Sequence, residues 1–241
     1  MTENQFRFAT TQWSLVLAAG KGGPGDARAA LERLCAIYWY PVFAFVRRRG
    51  HSVEEAEDLT QSFFQRLIEK GDLAAADRDL GRFRTFLLTA CQHFLLNERD
   101  RSLTLKRGGG QFMLPIDIAV AEQRYQCSLG HAETPEHLYD RQWCLALLDA
   151  VLDAVRSEYV EAGKGNLFER LRGFLTMDDA AGRQIDAASD LNMSPAAVKV
   201  AVHRLRRRYR DALRRRVAET VDTEEAIDDE MRYLLKTVSG L

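Results

Sequence analysis

The chain has 241 residues, 46% of them hydrophobic and 29% charged, with 34 basic and 35 acidic side chains giving a net charge of −1. That balance supplies apolar material for one large core or two small ones and excludes wholesale disorder. Cys35, Cys91, Cys127 and Cys144 form no C-x-x-C pair, which excludes a zinc ribbon or a disulfide framework and fits a reducing cytoplasm.

In chain order, nearly every periodic stretch has helical spacing, and no alternating β-branched run bounded by turns is found. An all-α fold is expected. A first helix is predicted over 12–19 and is broken at 20–25, where the spacing does not fit a phosphate loop. The next spans 26–49, with Leu31, Leu34, Tyr38, Val42 and Phe45 at steps of three and four and a kink expected at Pro41. Ser52 and Glu55 have capping-box spacing and open a helix with the stripe Ala56, Leu59, Phe63 and Leu67. A further helix over 82–101 should bury Phe83, Leu87, Ala90 and Phe94.

From Lys106 to about Glu133 the periodicity fails, which predicts a flexible linker between two small helical domains, 1–105 and 134–217. Thr134-Pro135 reads as an N-cap followed by proline at the first helical position. The second domain should hold a helix to Tyr159, a break at Gly163 and Gly165, and a helix over 167–175. Ile185 to Leu191, the turn Asn192-Met193 and a long helix capped by Ser194-Pro195 then spell a helix-turn-helix. Asn192 stands where such turns favour glycine, and asparagine also tolerates left-handed backbone.

The long helix should bury Val198, Val202, Leu205, Tyr209 and Leu213 and leave Lys199, His203, Arg206 and Arg210 facing outward. Between 199 and 216 nine basic residues stand against Asp211 alone, a net +8, whereas 217–241 carries −5. A near-neutral total thus hides a phosphate-seeking stripe. The acidic extension, 218–241, should form a helix over 224–238 that either folds onto the basic helix as an autoinhibitor or completes the core of the second domain.

Three segments together decide a resemblance. Glu54 to Phe64 looks like the acidic-start helix of sigma region two, Phe83 to Arg101 resembles the part that recognises and melts the −10 element, and Ala187 to Lys199 resembles region four, which reads the −35 element. In this order and spacing they resemble an extracytoplasmic-function sigma factor of the sigma-70 family. The resemblance implies a transcription initiation factor that binds the clamp helices of core RNA polymerase and directs it to promoter DNA. It implies an anti-sigma factor or a Ser/Thr kinase as regulator.

By the same resemblance Asp58, Gln61, Phe64 and Gln65 face polymerase. Arg82, Arg84, Phe86, His93, Asn97, Arg99 and Arg101 face the −10 element. Ser194, Ala196, Lys199, Val200, His203, Arg204, Arg207 and Arg208 face the −35 element. The chain departs from the family where Phe86 replaces a common tryptophan, His93 an asparagine and Asn97 an aspartate. With Glu57 and Asp58 already acidic, Thr60 should need no phosphate. No cofactor, metal or catalytic group is expected, and no segment reaches the roughly 18 apolar residues of a membrane span. Two rival readings stand beside this one: a helix-turn-helix repressor or activator, and a metal-dependent nuclease built on Glu54, Glu55, Glu57 and Asp58.

Overall fold

A computed structural model describes residues 24–69, 82–102, 117–128, 133–175, 181–221 and 223–239. The helix expected over 12–19, and the part of the expected linker at 106–116, lie outside them. Among the described residues every regular element is helical. The helices are α1 (Pro24–Arg48), α2 (Val53–Glu69), α3 (Phe83–Ser102), α4 (Ile118–Ser128), α5 (Pro135–Glu161), α6 (Gly165–Leu171, continued by a 3-10 turn to Leu175), α7 (Ala181–Asp190), α8 (Pro195–Ala218) and α9 (Glu224–Ser239).

Local chemistry sets several of these boundaries. The Ser52 amide donates to Glu55 Oε2 at 3.0 Å and the Glu55 amide donates back to Ser52 Oγ at 3.2 Å, closing the expected box at the start of α2. Thr134 Oγ1 accepts from the His137 amide at 3.2 Å and so caps α5. Thr223 does the same for α9 through Ala226.

The chain divides into two compact units, one made of Met1–Ala146 with Val217–Leu241 and the other of Leu147–Arg216. These are not the domains expected from the sequence. The division falls within α5 and not in 106–133, because Ile118–Ser128 forms α4 and docks on α1. Tyr125 of α4 is buried with Ala44 and Leu138, and the Arg47 guanidinium grips Glu122 with two hydrogen bonds of 2.9 and 2.8 Å. The acidic extension groups with the first unit.

In the first unit α1 is covered on nearly all sides: Ile37, Tyr38, Trp39 and every residue from Val42 to Val46 are buried, as befits a central helix. Around it, Tyr38 meets the edge of Phe83 of α3 at 5.2 Å between ring centroids, and Phe45 meets Tyr139 of α5 at 6.4 Å. Phe63 of α2 packs on Phe94 of α3 at 5.6 Å. Phe83, Leu87 and Phe94 are buried as expected, while Ala90 is half-buried.

Helix α9 joins this unit by charge. Glu230, fully buried, accepts from Arg84 Nε at 2.7 Å and forms an ion pair with Arg82 Nε at 2.8 Å. Arg84 Nη1 reaches Asp140 at 2.6 Å, Tyr233 donates to the same carboxylate at 2.6 Å, and the Arg84 guanidinium lies 3.9 Å from the centroid of the Tyr233 ring. Burial works against the charge on Arg84, but the Glu230 hydrogen bond and the nearby acids outweigh it and raise its pKa. Burial, with the Asp140 contact, pushes the Tyr233 phenol up to about 12.

The second unit has its own core of Val155, Phe168, Leu171, Phe174, Ala187, Ala188, Val198, Val202 and Leu205. Tyr209 is half-buried and donates to the Leu148 carbonyl at 3.2 Å. No described helix is long and apolar enough to cross a membrane.

Candidate nucleic-acid interface

The helix-turn-helix of the second unit is built from α7, a tight turn and α8. Asn192 has φ of 50°, the left-handed conformation its position required, and the Met193 amide returns to the Ala188 carbonyl at 2.9 Å. Ser194 Oγ accepts from the Ala197 amide at 3.2 Å, and Pro195 opens α8 where it has no amide proton to leave unbonded. The core side of α8 holds Val198, Val202, Leu205 and Leu213, all buried.

Its other side presents Ser194, Ala196, Lys199, Val200, His203, Arg204, Arg207 and Arg208, every one exposed. The eight residues expected at the −35 element therefore lie along the exposed side of α8, from its cap Ser194 to Arg208. Several arginines of α8 are engaged within the unit, Arg207 with Asp211 at 3.9 Å among them. Arg208 pairs with Glu158 at 2.6 Å. Arg206, expected to face outward, is half-buried and donates twice to the Phe174 carbonyl at 3.0 and 2.8 Å, closing the end of the 3-10 turn.

In the first unit the residues expected at the −10 element separate into three groups. Phe86, His93 and Asn97 line one open groove of about 440 Å³ between α2 and α3. Arg99 lies instead in a second groove, beside Asp58. Arg82 and Arg84 are held by Glu230, and Arg84 is only 6% exposed, so its guanidinium meets carboxylates and aromatic rings inside the unit. The side chain of Arg101 lies outside the described residues, as do Lys106 and Arg107.

Of the residues expected at polymerase, Asp58 is exposed and Gln61 and Gln65 are half-buried on α2. Phe64 is buried at 1% exposure and packs edge-on against Phe63, so it serves the core. Thr60 is fully buried. Among the described residues, no three His, Cys, Asp or Glu side chains gather as a metal site.

Comparison with protein-family models, with curated proteins and with solved structures finds no match. The surfaces therefore rest on their own geometry. Residues the sequence did not single out join them: Arg66 and Thr89 line the groove with Phe86, His93 and Asn97, and Arg66 lies 5.8 Å from the Phe94 ring centroid and 3.5 Å from Glu98. One cation, aromatic side chains and three polar groups, Thr89, His93 and Asn97, thus share one open groove. Their signal in the sequence was faint. Arg66 stands in the last turn of α2, where a base is expected for the helix dipole alone.

Proposed function

We propose that the chain is a transcription initiation factor of the extracytoplasmic-function sigma class, which docks on core RNA polymerase and directs it to promoters through −10 and −35 elements. The observation that carries this reading is the exposed start of α8. Lys199, His203, Arg204 and Arg207 stand together behind a left-handed Asn192 turn, the arrangement by which a helix enters a major groove. Lys199 and Arg204 would read base edges, and Arg207, Arg210 and Arg215 further along would contact phosphates. The groove of Phe86, His93 and Asn97 would take an unpaired base of the −10 element. Asp58 and Gln61 of α2 would contact the polymerase clamp helices.

The test is co-purification with core RNA polymerase followed by transcription in vitro from a library of genomic promoters. A polymerase complex containing one copy of the chain and firing from a defined promoter class is the expected result. Asp58→Arg should abolish the complex. A chain that ignores polymerase and binds a palindrome as a dimer would overturn the proposal in favour of a repressor or activator. Lys199→Ala and Arg204→Ala should each weaken promoter binding by about 1–3 kcal/mol. Arg215→Ala should instead lower affinity on every sequence and reduce the salt slope by about 0.9.

A further inference from the structure

We propose that Val200 makes the second unit select thymine, through its C5-methyl group, at one position of the duplex it binds. The inference rests on the promoter-reading role proposed above and adds to it a named base.

Val200 is 49% exposed although its neighbours Val198 and Val202 are buried, so the core does not use it. It lies in the second turn of α8, one turn after exposed Ala196 and one turn before exposed Arg204. Single exposed apolar residues are ordinary on protein surfaces, and exposure alone would mean little. What distinguishes this valine is its company. Lys199, His203, Arg204 and Arg207 lie on the same side of α8, all exposed and all hydrogen-bond donors, which suits an anionic partner for this face. Ser194 and Ala196 are short, so the helix start can approach its partner closely enough for a branched Cβ to touch it.

A valine neither donates nor accepts a hydrogen bond. Of the groups that the four bases show in the major groove, only the thymine methyl is apolar. Adenine, guanine and cytosine present donors and acceptors there, and a valine pressed against them strips their water without replacing it. Val200 also lines an open groove of about 830 Å³ whose walls are mostly apolar, among them Tyr159, Leu167 and Met193, with Lys164, Arg204 and the Arg208–Glu158 pair beside them.

The test uses the full chain assembled with core RNA polymerase and a duplex selected by that complex from a random pool. Each thymine is replaced in turn by deoxyuridine, which removes the methyl group and leaves the hydrogen bonds unchanged. One replacement should loosen binding of the wild-type complex about fourfold, the worth of one buried carbon. Val200→Ala should bind the thymine duplex more weakly by a similar factor and be indifferent to that replacement. Salt-dependent duplex binding with no deoxyuridine effect at any position overturns this inference alone, as does Val200→Ala keeping the wild-type sensitivity. A Val200→Ala chain that melts several degrees lower also overturns it, assigning the valine to packing. A chain that forms no complex with polymerase or duplex overturns the function itself.

Discussion

Replacing Glu230 by alanine tests how the acidic helix is held. Its carboxylate is fully buried and serves two arginines at once, at 2.7 Å on Arg84 and 2.8 Å on Arg82. Without it Arg84, 7% exposed in its side chain, keeps only Asp140 as counter-charge. Breaking a buried ion pair by removing one partner costs about 3–5 kcal/mol, because the remaining charge is left uncompensated. The surviving Asp140 contact places this variant near the lower end, at about 3 kcal/mol. For a folding unit of this size that lowers the melting temperature by roughly 6–12 °C. The assay is thermal unfolding followed by circular dichroism, with Asp229→Ala as control. The Asp229 pair with Arg232 is exposed on both sides and its loss should shift little. Arg84→Met combined with Glu230→Leu, which removes both charges, should melt above Glu230→Ala. A shift below about 1 °C for Glu230→Ala would refute the reasoning. Truncation after Thr220 should likewise unfold the first unit and not tighten DNA binding.

Further outcomes follow from other sites. Thr60 is fully buried and its hydroxyl has no hydrogen-bond partner among the described residues, so Thr60→Val should be neutral or stabilising by up to about 1 kcal/mol in urea titration. Unphosphorylated recombinant protein should also be active, since a kinase could reach Thr60 only after α2 lifts from the core; strict kinase dependence would contradict this. Asn192→Ala should cost about 1 kcal/mol and Asn192→Gly almost nothing, as judged by chemical denaturation, because alanine strains at φ of 50°. The hydrogen bonds from Arg47 hold the Glu122 carboxyl below its usual pKa. That contribution is therefore present above the ordinary carboxylate pKa and lost as pH falls through the lowered one. Amide exchange in α4 should accelerate on acidification below about pH 4, and Glu122→Gln should remove that dependence.

The parts of the fold legible in the sequence were those set by neighbours along the chain. Ser52 with Glu55, Thr134 with Pro135, and Asn192 with Ser194 and Pro195 each satisfy backbone groups within a few residues, and all three are realised where the spacing placed them. The α8 core stripe was legible for the same reason. What was not legible depends on distant partners. Helix α4 buries only Ala121 and Tyr125, too few to draw an apolar stripe, and is fastened by Arg47, 75 residues earlier. Arg84 has no local mark to show whether it faces a phosphate or a carboxylate, and its carboxylate comes from α9. Phe64 follows buried Phe63 directly, so α2 is covered across a wider arc than one stripe would predict. Arg206 read as outward because its acceptor, the Phe174 carbonyl, is a backbone group that residue types do not reveal.

Glu230 follows Arg84 by 146 residues. During synthesis at roughly 5–20 residues per second, the arginine leaves the ribosome some 7–30 seconds before its counter-charge exists. The second unit, Leu147–Arg216, is by then already made, while the first still lacks the helix that neutralises its interior. The order of maturation is thus the reverse of the order of translation: the unit begun first is finished last. A nascent chain stalled before α9 would hold a complete helix-turn-helix and an unclosed first unit, a substrate for proteases.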